Sequence, residues 1–275
     1  MTSPALQEII ALLGCPAAGN PAQYLTERAL AEAGLDWRFL TLDVGPDRIA
    51  AALAGVDAMG FRGCVLSGPL RGLAAAHVAT LSPTATFSRA VSLIERQPTG
   101  LVGHMTDGRG LLEALRSHAE PAGEGVLIVG AGPTARATAL ELSLAGAATI
   151  LICNRTPDAA AALVDALSGV DGARASALPW QPEIVVPEEV GIVISAVPAE
   201  ARPAFAGLRK DHVVADFALV PQPSPVVAAA QQHGACAIDG LEIHCAKTAI
   251  DFHTWTGLEP DTDLLRELLD EYLNA

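Results

Sequence analysis

Residues 126–156, VLIVGAGPTARATALELSLAGAATILICNRT, constrain the fold more than any other part of the chain. An apolar run, Val126 to Val129, meets a turn with glycines at 130 and 132. A helical segment closed by Gly146 follows, and a second apolar run, Thr149 to Cys153, ends in Asn154, Arg155 and Thr156. Strand, tight turn, helix, strand is the order of a dinucleotide-binding unit. The spacing Gly130-x-Gly132-x-x-Ala135 gains its meaning from its seat between a strand and a helix. Without side chains at the turn, the backbone can approach a pyrophosphate, and the helix start offers N–H groups and a favourable dipole. Gly130, Ala131, Gly132, Pro133 and Thr134 are the expected contacts.

The polar tail bears on which dinucleotide fits. A site selective for NAD would have an acidic residue here to bond the ribose 2′-hydroxyl. Position 154 is Asn, which does not repel a 2′-phosphate, and Arg155 can pair with one and lie flat on the adenine. The cofactor expected is NADP, held by Asn154, Arg155 and Thr156, with Arg136 as a further positive group. Thr156 and Pro157 also form an N-cap and N1 pair for the next helix.

The rest of the chain agrees with a globular α/β protein. Its 275 residues allow one or two domains, and a hydrophobic share of 51% is ample for a core. There is no run of membrane-spanning length and no basic-then-apolar N-terminus, so a cytoplasmic protein is expected. The five cysteines are scattered without a CxxC, which points to neither a disulfide framework nor a zinc site. No metal is expected. A net charge of −14 argues against nucleic acid or an anionic membrane as partner. The expected partner is a small-molecule substrate, with the chain a monomer or homodimer.

Taken in order, the chain reads as a strand ending at Leu13, a helix from Pro21 to Ala33 capped by Asn20, a strand over 36–42 and a helix from Pro46 to about Leu53. A strand over 62–66 and a helix over 69–79 follow. Residues 80–90 read as a loop, 91–102 as a hairpin, and a helix starts at Thr106 or Asp107 and runs to about His118. After Thr156 come a helix to about Leu167, a glycine-containing turn and short strands over 183–186, 192–195, 213–216 and 235–238. A helix over 225–233 precedes the last of these, and helices over 241–252 and 261–273 end the chain. The fold class expected is α/β in two domains. Residues 1–106 would form an α/β substrate domain, with helices 241–275 returning to it, and 107–240 a Rossmann-type domain.

With these residues in view, the chain resembles shikimate dehydrogenase over nearly its whole length. The resemblance rests on GAGPTARA, the Asn-Arg-Thr tail, Ile-Ser-Ala-Val-Pro at 194–198, Asp216 with Pro221, and Gly240 in the second half. Gly14-x-Pro16, GFRGCVLSGPLR at 60–71 and Thr106-Asp107 carry it in the first. It implies a nicotinamide near Ser195, Ala196, Val197 and Gly240, and a substrate in a cleft between domains touching Asn20, Tyr24, Ser67, Arg71, Asp107 and Lys247. The family's catalytic pair is a lysine and an aspartate. Here Arg71 stands for the lysine, while the aspartate survives as Asp107. Val65 replaces an Asn, Ser67 a Thr, Met105 an Asn, Leu219 a Tyr and Lys247 a Gln, and two serines expected between Pro16 and Pro21 are absent.

These departures alter the chemistry. The family's reaction moves a hydride between nicotinamide and a ring carbon while the alcohol oxygen exchanges a proton. A lysine of lowered pKa can exchange that proton, whereas arginine stays charged. Arg71 facing Asp107 would hold a carboxylate or polarise a carbonyl. Lys247, one of only two lysines in the chain, is the candidate proton carrier or anion binder, so Asp107, Lys247 and Arg71 form the expected catalytic set. His77, His104 and Tyr24 are further titratable candidates. The reading is an NADP-dependent oxidoreductase of this group acting on a small hydroxylated or carbonyl compound other than shikimate. The alternatives are a non-catalytic NADP-binding sensor or partner protein, and a dehydrogenase for a larger pterin-type one-carbon carrier.

Overall fold

The computed structural model describes residues 7–198, 201–220 and 223–274. The chain divides into two compact units, one of residues 1–106 and 248–275, the other of residues 107–247. Among the described residues no helix is long and apolar enough to cross a membrane.

In the first unit β1 (Ile9–Gly14), α1 (Ala22–Glu32), β2 (Arg38–Asp43), α2 (Ile49–Ala58), β3 (Gly63–Leu66) and α3 (Leu70–Ala74) alternate, followed by β4 (Thr80–Leu81), α4 (Pro83–Ser88), β5 (Leu93–Gln97) and β6 (Gly100–His104). The sheet order is β2-β1-β3-β5-β6-β4. β1 pairs in parallel with both β2 and β3, while β5 runs antiparallel to β3 and to β6, the hairpin expected around Pro98. Asn20 is not the N-cap expected of it: Pro21 holds that position without a side-chain cap bond, the helix opens at Ala22, and Asn20 Oδ1 accepts from Ala22 N at 2.9 Å in the turn before it.

Three further expectations need correction here. Residues 80–90 are not a loop. Ser82 Oγ accepts from Ala85 N at 3.2 Å, Pro83 takes the first helical position, and Ala85 and Ser88 turn inward. That is a capped helix start among small residues. The helix expected to end near Leu53 enters through a 3₁₀ turn at Pro46–Arg48 and continues to Ala58, because Leu53 and Val56 share its buried face. The helix expected over 69–79 stops at Ala74, with a 3₁₀ turn to His77 before Val78 becomes extended.

The second unit begins with α5 (Asp107–Arg116), then β7 (Gly125–Val129), α6 (Pro133–Leu144), β8 (Thr149–Cys153), α7 (Pro157–Ser168) and β9 (Arg174–Leu178). β10 (Glu183–Val185), β11 (Val190–Ser195), β12 (Ala204–Ala206), β13 (Val213–Asp216), α8 (Pro225–Gln232) and β14 (Cys236–Ile238) follow. α9 (Gly240–Thr256) and α10 (Thr262–Asn274) close the chain; Lys247 is the last residue of this unit, and α10 lies in the first. The main sheet has the order β14-β13-β11-β7-β8-β9, all parallel. β9 and β12 are additions to the expected strands. Both are short, and β9 is a largely exposed edge strand, so neither shows a clear apolar pattern.

Central strands of a parallel sheet are covered on both faces, which is why β7 and β11 are apolar almost throughout. Leu127, Val129, Val193 and Val214 pack with Ile184, Phe205 and Val226 in one cluster. The order reverses between β7 and β11, where chains of this topology hold ligands beyond the carboxyl ends of their strands.

The turn before β13 holds a buried histidine. His212 Nδ1 accepts from Arg209 N at 3.1 Å, so the ring is neutral with its proton on Nε2. Burial first, and the Arg209 charge second, push its pKa below the usual 6.5. The unfolded chain therefore takes up a proton before the folded chain does. This contribution to stability is complete above about pH 6.5 and is lost as pH falls through the lowered folded value. Denaturant midpoints measured from pH 7.5 to pH 5 should decline with acidification, and His212→Asn should flatten that decline.

Candidate functional site

The glycine turn is built by exclusion. Gly130 has φ of 124°, and a Cβ there would sit 2.8 Å from Ala196 O and 3.3 Å from Val197 Cγ1. Only glycine accepts both the backbone conformation and the contact. The turn after β7 is thereby pressed against the turn after β11, and Gly130 N also donates to Cys153 O at 2.8 Å. Three of the segments expected to face a dinucleotide thus converge. Gly132 differs from Gly130: it has extended backbone at the N-cap of α6, and a Cβ there would meet nothing within 4 Å. Its lack of a side chain keeps the outer side of the turn open. No side-chain cap hydrogen bond forms at the N-terminus of α6, and Ala135 is fully buried where the helix meets the sheet.

At the end of β8, Asn154 Nδ2 donates to Thr156 O at 3.0 Å, and Arg155 and Thr156 are exposed. Thr156 holds the N-cap position of α7 but its side chain makes no cap bond, a correction to the capping expected of it. Asn154 bonds the Thr156 carbonyl and orders this turn.

Asp107 opens α5 and is 5% exposed. Its Oδ2 accepts from the Thr134 hydroxyl at 2.8 Å, so the expected acid is tied to the first turn of the helix that follows the glycines. The close fit of α5 on α6 permits this: a Cβ at Gly108 would lie 2.5 Å from the Ala137 carbonyl. Gly110, three residues beyond Asp107 and on the same helix face, does the same for α9. A Cβ there would be 2.8 Å from Lys247 Cβ and 3.0 Å from its Cα. Glycines on α5 thus bring together the elements bearing Thr134, Asp107 and Lys247.

Ser195, at the end of β11, is fully buried and pairs in register with Asp216. Arg202 Nε lies 3.3 Å from Asp216 Oδ2, a buried ion pair whose arginine the sequence reading did not single out. Gly240 is required by another close approach, since its Cβ would fall on the Ala218 carbonyl. Pro221 lies outside the described residues.

In the first unit, Ser67 Oγ would be 2.7 Å from a Cβ at Gly14, so the turns after β1 and β3 touch. Arg71 Nε donates to Leu66 O at 3.0 Å. Tyr24 lies on the surface shared by α1 and α10: its hydroxyl donates to Glu271 at 2.7 Å, Arg28 covers its ring, and the Glu271 bond raises its pKa. His104 bonds Glu95 across the hairpin at 3.2 Å, and His77 ends the 3₁₀ turn after α3. The sequence reading missed a buried chain in which Ser92 and Thr106 share a bond and Thr106 Oγ1 donates to Asp251 Oδ1 at 2.7 Å. An acidic residue next to Phe252 and one turn before Trp255, both buried, was the available signal.

Comparison with known proteins meets this geometry. The Shikimate / quinate 5-dehydrogenase family model matches residues 113–206. A shikimate dehydrogenase (NADP(+)) of Acidiphilium cryptum is 33% identical over 266 residues, covering 92% of this chain and 91% of that protein. One from Moorella thermoacetica is 30% identical, covering 97% and 94%. Among solved structures, ligand-free 5-ketofructose reductase of Gluconobacter sp. strain CHM43 superposes with a TM-score of 0.92 at 30% identity, covering 97% of this chain and 99% of that one. Shikimate 5-dehydrogenase of Thermus thermophilus, in complex with NADP(H) and shikimate, gives 0.81 at 28%, covering 97% and 100%. Similarity at this level over more than nine-tenths of the chain makes it a member of the shikimate dehydrogenase family.

Proposed function

We propose that the chain is an NADP-dependent oxidoreductase that interconverts an alcohol and a carbonyl in a small polyhydroxylated compound other than shikimate. The observation that carries this reading is the packing of Lys247 against Gly110 on the face of α5 that bears Asp107. It offers a lysine and an aspartate from one unit in place of the family's pair, whose lysine is Arg71 here. The similarity to 5-ketofructose reductase supports a keto sugar as the substrate class.

The residues present fit the cofactor. The Gly130 and Gly132 turn admits a pyrophosphate at the start of α6, and exposed Arg155 suits a 2′-phosphate. When bound, NADP supplies or accepts the hydride. Ala196 and Val197 would shape the wall beside the nicotinamide. Lys247 would hold the substrate oxygen and exchange its proton, and Asp107, oriented by Thr134, would fix a neighbouring hydroxyl. Ser67 and Arg71 are proposed as substrate contacts on the family resemblance, with Arg71 as a fixed cation.

Titration with NADP and NAD, followed by turnover of a panel of keto sugars, polyols and shikimate, tests the reading. No binding of NADP, or turnover of shikimate above every other compound, would overturn it. Arg155→Ala should weaken NADP about 10- to 100-fold, the worth of a charge-assisted hydrogen bond, and leave NAD unchanged.

A further inference from the structure

Three side chains of the second unit form a relay that the proposed reaction does not use. Cys236 opens β14, and its Sγ lies 3.4 Å from His118 Nδ1. The other ring nitrogen, Nε2, lies 2.8 Å from Glu242 Oε1. A carboxylate accepts only, so Nε2 carries the proton and Nδ1 presents its lone pair to the thiol. Nucleophile, base and orienting carboxylate stand in the order that activates serine and cysteine nucleophiles.

Each member is held by its backbone. His118 N donates to Leu115 O at 2.8 Å beyond the end of α5, Cys236 N donates to His212 O at 3.0 Å, and Glu242 N donates to Asp239 Oδ1 at 2.9 Å in the first turn of α9. Cys236 and the two side chains beside it are part-exposed, so a small solute reaches them. Other thiols differ. Cys64 is fully buried, and Cys153 is buried, its Sγ donating to Pro179 O and its pKa pushed up to about 11 by burial.

We infer that Cys236 is a hydroperoxide-reactive thiol, a modification site whose oxidation to sulfenic acid is assisted by His118 and Glu242. Burial and the Glu242 charge push the Cys236 pKa up, so the resting group is a thiol and its proton must leave during attack. Peroxide suits this arrangement. As the S–O bond forms and the O–O bond breaks, the Sγ proton passes to His118 Nδ1 and on to the departing oxygen, which leaves as water or an alcohol. The sulfur is oxidised, the peroxide is reduced, and no net proton is gained or lost. One imidazole serves as base and then as acid.

The test is hydrogen peroxide treatment of the full chain, trapping of sulfenic acid with a cyclic 1,3-dione, and mass spectrometry of the Cys236 and Cys15 peptides. The rate at Cys236 relative to Cys15 should fall about tenfold or more in His118→Gln, the scale of lost acid–base assistance, and severalfold in Glu242→Gln. The ratio within one sample separates this effect from unfolding, which would raise both rates. A Cys236 rate no greater than that of Cys15, or an unchanged ratio in His118→Gln, would overturn the inference.

Discussion

Lys247→Met should lower kcat/KM for the natural substrate about 10²- to 10³-fold, the scale of a lost general acid, while leaving NADP affinity within about twofold of the parent. Methionine keeps the apolar stem that packs on Gly110 but removes the ammonium. The expectation follows from what Arg71 cannot do: a guanidinium stays protonated through any ordinary catalytic cycle. If a lysine must exchange the proton, the only other one in the chain is Lys210, at the turn before β13. Steady-state kinetics with a cofactor titration on the same preparation decides it. Unchanged kcat/KM would make Lys247 an ordinary helix lysine and would move the burden of the reaction elsewhere. Arg71→Lys is the companion variant, and a gain of shikimate turnover there would mark this position as the point of departure from the family's reaction.

The second large effect is at Gly130. Gly130→Val forces a branched side chain into a backbone of φ 124° with the Ala196 carbonyl 2.8 Å from its first carbon. Strain of this kind costs about 1–3 kcal/mol, enough to lower the unfolding midpoint by about 2–10 °C. NADP binding should weaken at least about 100-fold, because the turn cannot keep its contact with Ala196 and Val197 and also face a pyrophosphate. Gly132→Ala is the informative control. Its Cβ points into open space, so the melting temperature should hold while cofactor affinity drops. A fall in stability at both positions would show that the two glycines serve the fold in the same way, contrary to their different surroundings.

Much of the nucleotide unit was legible because its motif is local. Gly130 and Gly132 shape the backbone and Asn154 orders the last turn of one strand–helix–strand unit, and the spacing alone puts them at the carboxyl ends of the neighbouring strands β7 and β8. What stayed hidden depended on neighbours distant in sequence. Thr134 was expected to touch cofactor, and nothing in residues 126–156 reveals that its hydroxyl reaches Asp107. Asp251 became visible only once α9 placed it beside Thr106. The sequence of the helix at Pro83–Ser88 reads as loop because Ser82 and Pro83 signal a turn and a helix cap equally well, and only the inward-facing Ala85 and Ser88 decide between them. β9 escaped because an exposed edge strand has little apolar alternation to show. Arg202, Cys236, His118 and Glu242 belong to no motif, and their roles come from packing alone.

The Thr134–Asp107 hydrogen bond has a thermodynamic meaning. Thr134 stands in the first turn of α6, which is proposed to receive the pyrophosphate, and Asp107, which accepts its hydrogen bond, is proposed as a substrate contact. Any change that cofactor binding makes to the Thr134 hydroxyl is felt by the carboxylate, and the converse holds with equal strength. The two ligands then share one coupling free energy: whatever factor NADP contributes to substrate affinity, substrate must contribute to NADP affinity. Thr134→Val, which keeps the shape and removes the hydroxyl, would uncouple the pair, so that each ligand binds with the same affinity whether or not the other is present.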